Sequence, residues 1–335
     1  MNENRILEKE AVMTAKTELL KQQLGIEVPV ICGPMYPGSN PELIAAVSEA
    51  GGMGVVQPIS MTHIYKHDFR EGLRLIKSLT DKPFGVNFTL MDGVKVYEER
   101  NRQWMNIAIE EGVKFFLTSL GNPKPIVKTA SEHGITVYHD VTTRAFAQKA
   151  VDAGVHGLNC VNNRAGGQTG QVSPEQLLEE LAELDVPLVC AGGVGDEHDF
   201  KRMLEAGYAG VQLGTRFLAT RECQVTDDYK QAIVDYGEED IVWTNKLAGT
   251  NSSVIRTPDL ERLGLRTGPI TSRLLKNRKT KKLARMVLLM RSMQRYKKVA
   301  LNPGYDQIWQ AGKGIGHIHA VESAGDVVRR FAAAQ

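Results

Sequence analysis

Two short apolar runs, each ending at glycine, carry the clearest chemical signal in this chain. The first reads Pro187-Leu-Val-Cys-Ala-Gly-Gly-Val194 and the second Gly210-Val-Gln-Leu-Gly-Thr-Arg-Phe-Leu218. Glycine lets a backbone N–H approach an anion with no Cβ in the way. Asp196–Ala206, between the runs, has helical spacing, so each run reads as a strand and its turn. Two such turns in succession match the phosphate site formed after strands 7 and 8 of a (β/α)8 barrel. Gly192, Gly193, Gly214 and Thr215 are then the phosphate-holding groups, and the chain is expected to be a cofactor enzyme with a small-molecule substrate.

Other groups are candidates by position. Tyr138-His139-Asp140 ends a predicted strand, and side chains alternate along a strand, so one of His139 and Asp140 turns inward. For His139 a site role stands beside a hydrogen-bonded structural one. Arg164 follows the next strand, in Asn162-Asn163-Arg164, and suits an anionic substrate such as a carboxylate. His63 and His67 lie four apart without a carboxylate cluster, so no metal site is expected. Lys313, in Ala311-Gly-Lys-Gly-Ile-Gly316, either reaches a cofactor phosphate or is a surface lysine. Tyr236, Trp243 and Trp309 read as packing residues.

Short apolar runs alternating with helical stretches position these groups and signal a parallel sheet. The predicted strands are Val28–Met35, Met53–Pro58, Phe84–Leu90, Phe115–Ser119, Thr136–Val141, Gly157–Val161, Leu188–Ala191 and Gly210–Leu213. Glu42–Ala50, Glu98–Glu111 and Pro174–Leu184 are among the helices. Pro41 and Pro174 suit the first helical position, after Asn40 and Ser173 as N-caps. Gly51, Gly112, Gly154 and Gly207 suit left-handed helix stops. Eight strands by residue 218 fill an α/β (β/α)8 TIM barrel. Val321–Ala334 is expected to close the ring. The barrel is 1–220 plus 303–335, with a helical insertion or lid over 221–302 after strand 8.

Of 335 residues, 42% are apolar and 24% charged, as in a globular protein with a full core. No apolar run reaches the roughly 18 residues that span a membrane. The charged start has no signal-peptide pattern, and the four cysteines form no CxxC pair, so a cytoplasmic protein with reduced thiols is expected. The net charge of +2 hides a segregation: eleven lysines and arginines and no acidic residue lie in 273–298. Such a block suits a phosphate-bearing partner or an anionic surface, or else a solvated helix face or a self-association surface such as that of a homodimer. No nucleic-acid partner is expected.

Several stretches resemble the FMN-dependent nitronate monooxygenase (2-nitropropane dioxygenase) family, whose relatives include flavin NADH:quinone reductases and flavin enoyl-ACP reductases. They are Gly33-Pro-Met35, Ala50-Gly-Gly-Met53, Lys82-Pro-Phe-Gly-Val-Asn-Phe-Thr-Leu90, Ala165-Gly-Gly-Gln-Thr-Gly170, Ala191-Gly-Gly193 and Gly214-Thr-Arg-Phe-Leu-Ala-Thr-Arg-Glu222. The resemblance implies FMN, with NAD(P)H as a candidate reductant. It places Gly33, Met35 and Asn87 against the flavin ring, Gly166, Gly167 and Ala191 beside it, and the phosphate on Gly192, Gly193, Gly214 and Thr215. Arg164 is then also suited to stabilise anionic reduced flavin.

Position 168 departs from the pattern. The family motif Ala-Gly-Gly-His-x-Gly carries a His assigned as the base that takes the substrate proton. Here that position is Gln168, which exchanges hydrogen bonds but takes no proton near neutral pH. A nitronate is already deprotonated, and hydride transfer from NAD(P)H needs no base there. The leading expectation is nitronate oxidation using oxygen, with Gln168, His139 and Arg164 as the reaction-site candidates. The alternatives are an NAD(P)H-dependent quinone or enoyl(-ACP) reductase and a flavin-binding accessory protein of low turnover.

Overall fold

The structure, a computed structural model, describes residues 3–91, 93–247, 251–277, 280–304 and 307–335. The barrel strands are β1 (Val30–Cys32), β2 (Met53–Val56), β3 (Phe84–Thr89), β4 (Phe115–Ser119), β5 (Thr136–Val141) and β6 (Gly157–Val161). After a two-residue strand outside the barrel, β7 (Gly167–Gln168), come β8 (Leu188–Ala191) and β9 (Gly210–Leu213). Eight parallel strands close in the order β1-β2-β3-β4-β5-β6-β8-β9, and Val30 meets Val211 where β1 joins β9. The TIM barrel expected from the alternation is therefore present, with strand positions that match closely.

Helices α1 (Glu3–Leu24), α2 (Pro41–Glu49), α3 (Phe69–Leu79), α4 (Lys95–Glu110), α5 (Lys124–Glu132), α6 (Arg144–Asp152), α7 (Pro174–Leu181) and α8 (Glu197–Ala206) lead up to β9. Local chemistry starts and stops them. Ser173 accepts a hydrogen bond from Gln176 N (3.1 Å), and Asp196 accepts one from Asp199 N (2.9 Å). Gly51, Gly112, Gly154 and Gly207 all have positive φ. Asn40 departs from expectation: it caps nothing, and its amide instead donates to Glu222 O and Glu42 Oε2 (2.8 Å each). A partner distant along the chain, brought close because β9 pairs with β1, outcompetes the local cap.

Side chains inside the barrel alternate with those facing the helices. Ile31, Met53, Val55, Phe115, Leu117, Tyr138 and Val189 form the inner cluster. Leu20, Leu24 and Ile26 join it, so the end of α1 and the residue that follows plug one end of the barrel. Each such apolar side chain contributes about 1.5–3 kcal/mol on burial. The plug is bonded as well as packed: Gln23 O accepts from Thr136 Oγ1 (3.1 Å), and Gln23 Oε1 accepts from Tyr138 Oη (2.7 Å). Sequence reading left α1 unassigned; the hydrogen bonds that seat it reach Thr136 and Tyr138, more than a hundred residues away.

Beyond β9 the chain forms a one-turn helix α9 (Thr215–Leu218), α10 (Asp227–Asp235), β10 (Ile241–Thr244), β11 (Ser252–Ile255), α11 (Pro258–Leu263), α12 (Pro269–Lys276) and α13 (Lys281–Leu301). The stretch 221–302 is thus only partly helical. Its antiparallel β10–β11 pair extends onto β7, with Ser252 opposite Gln168. The hairpin can form because both its faces are covered: Val242 and Val254 pack in the excursion's own apolar cluster, and Ile255 on the other face packs in the main core. Then α14 (Ala324–Ala332) returns to the ring, stacking Phe331 on Phe200 of α8 at 5.2 Å.

Large and small residues interlock inside the barrel. A Cβ on Gly157 would fall on the Tyr138 ring, and one on Gly85 would meet Phe115 Cδ1 at 2.5 Å. Gly157→Ala should therefore cost about 1–3 kcal/mol by overpacking, read as a lower urea midpoint. Adding Tyr138→Leu should recover part of the loss. An unchanged midpoint in the single variant would contradict this packing.

Candidate active site

Where the strands end, their interior residues turn from apolar to polar, and a cavity of about 360 Å³ opens. That volume suits a cofactor-sized ligand. Gly33, Met35, Asn87, Arg164, Gly166, Gly167, Gln168, Ala191, Gly192, Gly193, Gly214 and Thr215 all line it. The strand ends bring together residues spread over most of the chain.

The phosphate-type wall is built from loops too close to admit side chains. Gly192 and Gly193 have φ of +120° and +86°, which favour glycine. A Cβ on Gly192 would lie 2.5 Å from Ala165 N, and one on Gly312 would lie 2.6 Å from Arg164 O. Three loops therefore meet backbone to backbone. Asn162 ties two of them, donating to Gly192 O (3.0 Å) and accepting from Arg164 N (2.9 Å). Thr215 Oγ1 accepts from Gly312 N (2.9 Å), which leaves its own proton free to donate. His317 Nδ1 meets Asp199 Oδ2 at 2.6 Å, and that oxygen also accepts from Gly195 N (3.0 Å). The Asp199 carboxylate holds the His317 pKa above its usual value.

The cavity floor is a layer of amides and one acid. Asn87 comes from β3, Asp140 from β5 and Gln212 from β9, while Asn159 of β6 is buried against them without lining the cavity. Asn159 Nδ2 donates to both Asp140 Oδ1 (3.1 Å) and Gln212 Oε1 (2.7 Å). Asn87 and Asn159 are fully enclosed, yet Oδ1 of each lacks a partner. An orphaned buried acceptor is costly, about 1–3 kcal/mol, and that of Asn87, a cavity-lining residue, asks for a donor from a ligand. Burial raises the Asp140 pKa to about 7, against a smaller opposing effect from its Asn159 bond. Asn159 and Gln212 interrupt otherwise apolar strands, a signal that sequence reading did not use.

The alternation decides between His139 and Asp140, and it corrects the expectation for His139. Tyr138 and Asp140 turn inward, so His139 points to the helix layer, where it is buried and its Nδ1 meets Thr118 Oγ1 at 2.8 Å. Burial pushes its pKa down to about 4, keeping it neutral. It does not line the cavity.

Arg164 lines the rim with its charge already engaged. Both Nη groups donate to the Glu238 carboxylate, at 2.8 and 2.6 Å, and that pairing lowers the Glu238 pKa. Lys313 Nζ lies 3.5 Å from the same carboxylate. An anion binding here has to share with or displace Glu238. Gln168 also lies at the rim, exposed, its backbone held by the β7–β11 ladder. From the excursion, Met293 and Tyr296 of α13 complete the wall, which sequence reading missed. Trp309 stacks on Tyr229 at 5.7 Å, while Trp243 is exposed on β10. His63 accepts Lys297 Nζ at its carbonyl (3.2 Å), which pins α13 to the loop after β2.

Comparison with known proteins agrees with this geometry. The nitronate monooxygenase family model matches residues 17–333. A Rhodococcus jostii protein named (3aS,4S,5R,7aS)-5-hydroxy-7a-methyl-1-oxo-octahydro-1H-indene-4-carboxyl-CoA dehydrogenase is 29% identical over 245 residues, 73% of this chain and 66% of that protein. This chain thus spans about two-thirds of that relative's length. A nitronate monooxygenase of Pseudomonas aeruginosa is 28% identical over 260 residues, 65% of this chain and 73% of that one. Among solved structures, FabK from Thermotoga maritima superposes with a TM-score of 0.78 at 25% identity, covering 94% of each chain. A nitroalkane oxidase from Streptomyces ansochromogenes shares the fold, with a TM-score of 0.75 at 21% identity over 94% of this chain and 97% of that one.

The floor acid makes a stability prediction. The folded Asp140 keeps its proton up to about pH 7, while the unfolded chain loses it near the ordinary aspartate value of about 3.9. Between those limits the native state binds the extra proton, so stability contributed by this group falls as pH rises. Asp140→Asn should flatten that fall, measured by thermal melting of the ligand-free protein from pH 4.5 to 7.5. Parallel curves for the two proteins would remove Asp140 from the account.

Proposed function

The chain belongs to the nitronate monooxygenase family, and on that premise we propose that it is an FMN-dependent oxidoreductase that oxidises alkyl nitronates with oxygen as acceptor. One observation carries the reading. The residues that the sequence motifs assign to flavin converge on a single cavity, whose orphaned floor acceptor on Asn87 and side-chain-free wall fit the two ends of FMN.

Gly192, Gly193 and Gly214 would offer the phosphate their backbone N–H groups, with the Thr215 hydroxyl beside them. Asn87 would accept from the polar edge of the ring, and Gln212 and Asp140, both held by Asn159, would complete that edge. When bound, FMN supplies the capacity to take electrons from substrate and pass them to an acceptor. Gln168 orients substrate by hydrogen bonding and removes no proton. A nitronate arrives without the proton that a base would take, so the substitution spares nitronates and penalises neutral nitroalkanes. Loss of a positioned base typically costs about 10²–10⁴ in rate.

A second reading has its own support. Gln168 leaves hydride transfer untouched, and the Rhodococcus relative is named a dehydrogenase of a CoA thioester. An NAD(P)H-dependent quinone or enoyl(-ACP) reductase would use the same flavin bed, with the basic stretch 273–298 favouring a phosphate-bearing partner. Low turnover on every donor would support an accessory flavoprotein instead.

Anaerobic absorbance of the FMN-loaded protein separates these readings. Bleaching by an alkyl nitronate is the expected result, whereas bleaching by NADH or NADPH alone would establish a reductase. Gly192→Ala should purify folded but depleted of FMN, as judged by the absorbance ratio near the flavin and protein bands. Gln168→His should raise turnover on neutral nitroalkanes by up to about 10²-fold. No gain in a flavin-loaded variant would show that position 168 does not hold the missing base.

A further inference from the structure

The α12–α13 hairpin carries a surface that the redox site does not use. Thirteen lysines and arginines and no acidic residue lie between Glu261 and Asp306. Two of them, Arg278 and Lys279, lie outside the described residues. Alongside this charge the hairpin exposes large apolar side chains: Ile270 is 79% exposed, Leu283 60% and Met290 56%. Leu274 and Val287 are also exposed, placing Ile270 with Leu274 and Leu283 with Val287 and Met290 at helical-face spacing. None of the α12 residues is buried, whereas α13 anchors to the body near its end, through Tyr296, Val299 and Ala300.

A cover for this surface has to be anionic and apolar together. A second copy of the chain supplies no such patch among the described residues. Two facing hairpins would bring like charges together. The other exposed large apolar residues (Leu19, Leu79, Val96, Leu120, Phe146 and Trp243) sit singly on separate elements. A bilayer of anionic phospholipid presents both parts in one layer: phosphates for Lys and Arg, and an acyl boundary just beneath for Leu, Ile, Val and Met. Among the described residues no helix is long and apolar enough to cross a membrane, so the contact is one of lying on the surface.

We propose that the α12–α13 hairpin is a peripheral docking surface for anionic phospholipid membranes, with its apolar side chains seated at the headgroup–acyl boundary. Arg273, Lys276 and Arg291, all exposed, meet the phosphates. The docking has a consequence for the cavity. Because Met293 and Tyr296 on the same α13 line the cavity rim, a docked protein holds its mouth close to the lipid layer. A lipophilic substrate dissolved in that layer then has a short path to the site.

The test is co-sedimentation of the full-length, flavin-loaded protein with large vesicles. Phosphatidylcholine vesicles containing phosphatidylglycerol should bind at least about tenfold more protein than phosphatidylcholine alone, and high salt should release it. Leu283→Ser/Val287→Ser/Met290→Ser and, separately, Arg273→Glu/Lys276→Glu should each weaken binding about tenfold or more. Flavin absorbance and circular dichroism should stay unchanged. Should the triple substitution fail to fold, Ile270→Ser/Leu274→Ser replaces it. Absence of binding to anionic vesicles, or binding that both variants keep, overturns the proposal. So does a dimer seen by light scattering that Leu283→Ser/Val287→Ser/Met290→Ser turns to monomer, since the patch would then be a protein interface. Flavin content is read separately, so failure here leaves the redox reading standing.

Discussion

The close backbone packing at the C-terminal end of the barrel is the constraint on which the rest depends. The loop after β6, the turn after β8 and the segment around Gly312 approach to within the width of a missing Cβ. Only glycine permits that approach, and only that approach leaves amide groups bare toward a ligand. Asn162, Thr215 and the His317–Asp199 pair are braces that hold the arrangement together. The barrel supplies the rigid base, and α1 closes its opposite end with Leu20, Leu24 and Ile26.

What the sequence made legible was local. Strands such as Phe115–Ser119 and Leu188–Ala191 lie where the apolar runs place them, because both faces of a parallel strand are buried and composition alone marks it. The glycine turns were readable for the same reason: a backbone requirement is written into residue type. Long-range geometry was not. Asn40 looked like a cap until Glu222, far along the chain, offered a better partner. The β10–β11 ladder onto β7 joins residues more than eighty apart, and no periodicity announces it. For His139 and Asp140 the alternation rule narrowed the choice to one without saying which, since the register of β5 had to be known first.

The polar floor shows why the site needs the whole barrel. Asn87, Asp140, Asn159 and Gln212 come from four strands, and each alone would be a liability in an apolar interior. Together they partly satisfy one another, and of the two acceptors left open the one on Asn87 belongs to a residue that lines the cavity. That residual demand favours a ligand that brings a hydrogen-bond donor to the floor. Arg164, by contrast, spends its charge on Glu238. Its contribution lies in joining the β6 loop to the turn before β10.

The β7–β11 ladder has a bearing on how such a chain diversifies. Position 168 is fixed in space by main-chain hydrogen bonds to Ser252, and its side chain is exposed. The fold asks almost nothing of the residue placed there. Glutamine and histidine are therefore interchangeable parts in a fixed socket, and a lineage can exchange a proton acceptor for a neutral amide in one step without unsettling the scaffold. The chemical character of the side chain at 168 is then free to vary while the strand pairing that holds it stays constant.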